Sequence, residues 1–469
     1  MTSATLKQPG YKNLDHGPRP VPLLGYLPAM RRDPLRVLAD GLRRQGDVVR
    51  MAMGPYPFVV LNHPDHVRQF LVENHSNYIK SPAYNVLRMI LGEGLLTSEG
   101  AVWRRQRRLA QPAFNHKALA GFADAMVRCT GDMLTRWEGQ GIALGGAPFD
   151  FHEEMMRLTL RIVGHTLFST EIEQEAEHIG PALLEVLHYV DERTLSLASL
   201  PLWVPTPANR RFLRARATLD RLVYAIIKER RNSDAAPRDL LGMLMAAADD
   251  ASADRMTDQQ LRDEVMTLVL AGHETTAVAL SWTIDLLSRH PEAARRVQRE
   301  VHEVLGDGVP TLESLERLTY TGWALQESMR LCPPAWIMDR EALGDDVIGG
   351  HAIAKGTIVA VSPYTLHRNP RLWENPEGFD PERFSPERSR ERSRYAYLPF
   401  GGGPRVCIGN HFAMMEAKII LAMVAQRHHL TLLPGHQPEP EPNITLRPKH
   451  GVLVTAHPAQ RGGPCVLGN

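Results

Sequence analysis

A glycine-rich turn that hands one cysteine to a helix restricts this chain more than any other stretch. It reads Phe400-Gly-Gly-Gly-Pro-Arg-Val-Cys407-Ile-Gly409, with a helical run beginning near Asn410. Glycine and proline let the backbone turn tightly and approach a flat ligand that a side chain would obstruct. Gly409 leaves room just past the thiol. The helix N-terminus adds a positive dipole end and Arg405 a full charge, and both favour thiolate over thiol at Cys407. A lone cysteine in a turn is more often a small buried residue, so the metal-binding reading needs matching parts elsewhere.

The longest helical run supplies one. It starts at Thr257-Asp-Gln-Gln260, a capping-box pattern, and ends at His290 before Pro291. About 33 residues would span roughly 50 Å, enough to cross the molecule, while flanking charges and internal polar groups argue against a membrane span. Inside it, Ala271-Gly272-His273-Glu274-Thr275-Thr276 places a glycine, an acid and β-branched residues where an apolar centre is expected. Such local inconsistency marks functional sites. The residues predict that Gly272 leaves room for close approach of a flat group, and that Thr275 diverts a backbone bond near Ala271 and loosens the turn. Glu274 then supplies protons. Taken alone, Thr275 is equally explained as a hydroxyl satisfied by the carbonyl four residues back.

Further parts are weaker singly. Trp103 and Arg107 share a helix face at i, i+4, and an indole N–H beside a guanidinium suits a carboxylate. Arg104, Arg105 and Arg108 occupy the other face, which alone reads as a solvated basic surface. Glu327-Ser-Met-Arg330 sets an acid and an arginine one turn apart, and Phe379-Asp-Pro-Glu-Arg383-Phe384 follows some fifty residues later. Alone, the first is an ordinary surface pair.

Composition narrows the class. The 469 residues are 43% hydrophobic with 54 basic against 53 acidic side chains, which fits one large soluble globular domain and argues against a nucleic-acid partner. Cys129, Cys332, Cys407 and Cys465 are too scattered for a disulfide framework or zinc site, so a reducing cytoplasm is expected. Met1 to Leu24 lacks an apolar run of signal or anchor length. The ends, 1–15 and 459–469, are expected to be flexible.

In order, Pro18 to Pro28 is read as an extended surface segment, and Gly46 to Leu61 as strand, turn, strand. Residues 65–74 return to helical spacing, whereas Pro82 to Thr97 is apolar and loop-like. From Cys129 to Lys228 the pattern is mostly helical, broken at Gly139 to Pro148 and at Leu195 to Pro207, with a polar connection over Asn232 to Asp239. Val347-Ile348 and Thr357 to Val361 are strand-like, and Asn443 to Val454 reads as a closing hairpin.

Phe-x-x-Gly-x-Arg-x-Cys-x-Gly, the Ala-Gly-x-Glu-Thr-Thr run, Glu-x-x-Arg and the later arginine, in that order, resemble the cytochrome P-450 superfamily over essentially the whole chain. The resemblance implies a mainly α fold with a small β-rich region, in which a long central helix crosses the haem. It implies haem b held by Cys407 as iron ligand, with Phe400 and Arg405 in the binding loop and Gly272 at the haem face. Trp103, Arg107 and Arg340 would hold propionates, Glu274 and Thr275 would deliver protons to dioxygen, and Glu327, Arg330 and Arg383 would form a buried ionic cluster beneath the haem. Candidates for the pocket are Tyr84, Leu87, Ala271, Ala335, Trp336, Ile337 and Thr445. Trp336 narrows the pocket if it faces inward and otherwise packs in the core.

The implied activity is haem-thiolate monooxygenation: dioxygen is activated and one oxygen atom enters a hydrophobic substrate by hydroxylation or epoxidation. The segment Leu195 to Pro207 serves either as a mobile apolar lid or as ordinary loop packing. Electrons are expected from separate proteins, a ferredoxin or flavodoxin with its NAD(P)H reductase, docking on Arg104, Arg105 and Arg108. Alternative readings are a peroxide-using or non-oxygenating haem-thiolate enzyme, and a haem-based ligand carrier or sensor.

Overall fold

The computed structural model describes residues 20–142, 147–168, 173–194, 200–232, 239–247 and 255–459. Six helices position the site: α1 (Tyr84–Leu91), α2 (Gly100–Ala110), α3 (Phe151–Phe168), α4 (Asp258–Arg289), α5 (Thr319–Leu331) and α6 (Asn410–Arg427). The strands that matter are β1 (Val48–Met53), β2 (Tyr56–Leu61), β3 (Tyr78–Lys80), β4 (Met338–Ala342), β5 (Ile358–Val361), β6 (Pro440–Pro442) and β7 (Leu446–Pro448).

The capping box starts α4 as the sequence predicts. Gln260 N–H donates to Thr257 Oγ1 at 3.2 Å, and Thr257 N–H donates back to Gln260 Oε1 at 2.9 Å. The helix then runs 32 residues, about 48 Å, and stops at His290 before a proline-led helix. It is buried nearly all round, by Val265, Ala277, Val278, Leu280, Trp282 and Ile284 among others, so it forms the axis of the main core.

Beside this helical body lies a five-stranded sheet in the order β1-β2-β5-β4-β3. β1 and β2 form the predicted hairpin, and β2 continues parallel to β5. β3 and β4 pair antiparallel with Lys80 opposite Arg340, a register that matters below. Among the described residues no helix is long and apolar enough to cross a membrane.

Three expectations give way. Residues 82–97 are not all loop: α1 occupies their first half because Val86, Leu87, Met89, Ile90 and Leu91 pack against the main core, and Gly92 at φ +55° ends it. Pro18 to Pro28 is not extended throughout, since Pro28 sits in the first turn of a helix Leu27–Arg32, where proline is at home. The closing hairpin is β6–β7 with its turn at 443–445, and Leu453–Pro458 pairs instead with His428–Leu432. Residues 1–15, 195–199, 233–238 and 460–469 lie outside the described set. Of the expected lid, the described part leaves Leu200 and Trp203 exposed.

Candidate functional site

The cysteine loop is rigid. Cys407 N–H donates to Phe400 O at 2.9 Å and Val406 N–H to Gly403 O at 3.1 Å. Gly401 and Gly403 both adopt positive φ, and a Cβ on Gly403 would lie 2.0 Å from the Leu71 carbonyl oxygen. This glycine is therefore demanded by protein backbone. Cys407 keeps accessible surface although protein surrounds it. Burial pushes the thiol up, while the Gly409 N–H and the Arg107 guanidinium pull it down. The charge that favours the thiolate thus comes from Arg107. Arg405, expected in that role, is engaged elsewhere.

Arg405 pairs with Glu99 and stacks over the Trp103 ring at 4.2 Å. Lys80 and Arg340 join it by virtue of the β3–β4 register, and Lys80 Nζ lies 4.2 Å from the Tyr84 ring centroid. Burial, and then repulsion from Arg340 and Arg405, lowers Lys80 to about 7. Burial lowers Arg405 to about 10, and its Nη1 is buried without a partner. Three cations face two acids, Glu99 and Asp339, so the cluster keeps a positive excess and an unpartnered guanidinium nitrogen, and fits a group carrying carboxylates, as haem does. Arg107 does not join the cluster: its Nη1 donates to Val406 O at 3.0 Å and its Nε to Gln111 Oε1 at 3.1 Å. Tyr84, expected in the substrate pocket, stands under Lys80.

On α4, Ala271 is exposed within an otherwise buried helix, and Thr275, one turn on, is part-accessible. Together they give α4 an accessible face in its middle. Thr275 Oγ1 donates to Ala271 O at 2.6 Å, and the helix continues unbroken past it, so the turn is not opened. Glu274 turns the other way, buried, accepting a hydrogen bond from Thr445 Oγ1 at 2.7 Å. At Gly272 a Cβ would meet Val163 Cγ2 of α3 at 3.4 Å, an ordinary packing distance.

Beneath the loop the ionic cluster forms as expected. Glu327 accepts from Arg330 Nε at 2.7 Å, from Arg330 Nη2 at 2.9 Å and from Arg383 Nε at 3.0 Å. The Asp380 N–H adds a fourth bond at 2.8 Å. Arg330 Nη1 reaches His367 O at 2.9 Å, and His367 Nε2 accepts the Leu398 N–H at 2.8 Å, two residues before Phe400. Burial keeps His367 neutral down to about 3, as that acceptor role requires.

Where α4 meets α6, Glu416 is fully buried, and burial pushes its carboxyl up to about 8. Thr276 is the polar group facing it. The native carboxyl keeps its proton up to about 8 whereas the unfolded one loses it near 4.5, so stability falls across that window by up to about 1.4 kcal/mol per pH unit. Glu416→Gln is expected to gain on the wild type in melting temperature from pH 4.5 to 8, with the difference constant outside it.

Of the remaining pocket candidates, Leu87, Ala335 and Ile337 are partly buried. Trp336 follows its core alternative: it is buried in a cluster with Tyr26, Met51 and Phe58, and its indole N–H donates to Asn443 O at 2.7 Å. Lys80 and Glu99 carry no local signal: strand pairing brings Lys80 to the site, and Glu99, just before α2, accepts the Lys80 backbone N–H at 2.7 Å.

Comparison with known proteins matches this arrangement. The cytochrome P-450 family model covers residues 16–458. Cyclooctatin synthase of Streptomyces melanosporofaciens is 40% identical over 450 residues, covering 94% of this chain and 96% of that protein. Cyclooctat-9-en-7-ol 5-monooxygenase of the same organism is 38% identical over 422 residues, 89% of this chain and 90% of its own. The crystal structure of the cytochrome P450DA haem domain superposes with a TM-score of 0.86 at 29% identity, covering 95% of this chain and 97% of that one. The chain therefore belongs to the cytochrome P-450 family, and is a haem b-dependent monooxygenase.

Proposed function

We propose that Cys407 would hold the haem iron through its thiolate and that the whole chain works as one monooxygenase domain. The supporting observation is the accessible thiol on a loop held by the Cys407–Phe400 and Val406–Gly403 backbone hydrogen bonds. Haem b, when bound, supplies dioxygen activation and oxygen transfer, which a thiolate ligand promotes. The residues do the rest: Arg340, Arg405 and Lys80 hold the propionates, Trp103 backs Arg405, and Arg107 steadies the Cys407 loop. Glu274 gives up a proton, and Thr275 presents a hydroxyl on the accessible face of α4.

The substrate in this reading is an apolar carbocycle of terpenoid type, carrying at most a hydroxyl. Support comes from the apolar elements around α4 and from a relative named for an unsaturated carbocyclic alcohol. Electrons come from a separate ferredoxin or flavodoxin with its NAD(P)H reductase. The exposed Arg104 and Arg108 face of α2 receives it, while Arg105 Nη2 donates to Arg255 O at 3.3 Å. The cytoplasm is the compartment.

Titration of the ferric protein with sesquiterpenes, diterpene alcohols, steroids and fatty acids tests this. A saturable low-to-high-spin shift is expected with the terpenes, and a thiolate-type carbon monoxide band on reduction. Loss of that band in Cys407→Ser is expected; its persistence would refute the ligand assignment, and a shift confined to fatty acids the substrate class.

A further inference from the structure

The β6–β7 hairpin is fastened from two sides. Trp282 of α4 donates its indole N–H to Leu446 O at 2.7 Å, and Leu446 N–H donates to Pro334 O at 2.9 Å. At the turn, Asn443 O receives the Trp336 indole N–H at 2.7 Å, and Asn443 N–H bonds Thr445 O at 3.0 Å. Arg447 Nε closes the outer end on Glu441 Oε2 at 2.8 Å. Held in this way, Thr445 is 4% exposed, and its hydroxyl donates to Glu274 Oε1.

Burial pushes the Glu274 carboxyl up; the Thr445 hydroxyl and then the Arg447 charge draw it down. Among the described residues Arg447 is the charged group that acts on it. On α3 and α4, His152 and His273 stay uncharged down to about 4 because they are buried. Glu416 of α6 faces Thr276. A distant charge stabilises a carboxylate without orienting it. A hydroxyl donor selects one oxygen.

We propose that Thr445 is a positioning residue for Glu274: by occupying Oε1 it assigns the acid proton to Oε2 and holds the carboxyl in one orientation. When the Oε2–H bond breaks, the proton leaves from Oε2, and the charge left behind rests on Oε1 against the Thr445 hydroxyl and Arg447; solvent returns the proton. The hairpin that packs on Pro334 and Trp336 therefore also sets the acid of α4. This rests on the reading of Glu274 as the proton-giving group.

Infrared titration of the substrate-free holoenzyme tests it. The protonated-carboxyl band that disappears in Glu274→Gln is followed against pH. In Thr445→Val its midpoint is expected to rise by about one unit, because burial is then opposed by Arg447 alone, and Thr445→Ser is expected to restore the wild-type midpoint. A Thr445→Val titration that overlays the wild type overturns the proposal, as does a Thr445→Ser protein that behaves like Thr445→Val. Should Thr445→Val not fold, Thr445→Ala is read in the same way. If Glu274→Gln consumes dioxygen with NADPH and a ferredoxin system at the wild-type rate, the parent reading fails; if it is impaired while Thr445→Val matches the wild type in titration, only this proposal fails.

Discussion

Glu274→Gln is expected to lower dioxygen-dependent product formation by roughly 10²- to 10⁴-fold, the usual worth of a positioned general acid. The amide keeps the size of the side chain and still accepts the Thr445 hydrogen bond, so the fold should be untouched. What disappears is the proton. Supplying hydrogen peroxide in place of dioxygen and reductant is expected to spare the variant, since the peroxide arrives already protonated. Thr275→Ala should follow the same pattern, because its hydroxyl is held by Ala271 O on the accessible side of α4. Product counted under both regimes checks this: equal loss with peroxide and with dioxygen would mean that neither residue handles protons.

Glu327→Gln is expected to destabilise the protein by about 3–5 kcal/mol, because it leaves two buried guanidiniums facing a neutral group. Glu327 and Arg330 are both 0% exposed, so water cannot replace the lost charge. Thermal unfolding measures the loss, and retention of haem after gel filtration measures its reach. Arg330 ties through His367 to Leu398, so the damage should propagate to the loop bearing Cys407. Arg383→Lys is a milder version. It keeps a charge near Glu327 but gives up the fork that also reaches Asn375 O at 2.8 Å. A melting temperature unchanged by Glu327→Gln would show that the cluster contributes nothing net.

Much of this site was legible because its motifs are contiguous. Cys407, the Glu274–Thr275 pair and the capping of α4 are local patterns whose spacing carries the geometry. The Glu327–Arg330–Arg383 cluster joins segments some fifty residues apart, and only the family resemblance connected them. What escaped was set by three-dimensional pairing. Lys80 reaches the anion site because β3 lies against β4 in one register, and nothing near Lys80 announces it. Arg107 and Arg405 both stand out in the sequence, but spacing cannot say which guanidinium Glu99 will claim and which will lie beside Cys407. Gly272 stands out in the sequence, but that its nearest neighbour is Val163 on another helix is set by how α3 packs on α4. Helix α1 was missed because an apolar run of its length carries no decisive period.

The contact between Gly403 and the Leu71 carbonyl reaches further. Leu71 lies in a wide-pitched π-helical turn, Gln69–Glu73, which carries one residue more than an ordinary helical turn would. The Cys407 loop is therefore braced by an element far from it in sequence. Under the proposed ligand assignment, deleting one residue from that turn is expected to draw the carbonyl back, let the sulfur settle differently and shift the reduction potential. In that reading the tuning of the metal rests on a turn to which none of the pocket candidates belongs, so the two could be altered separately.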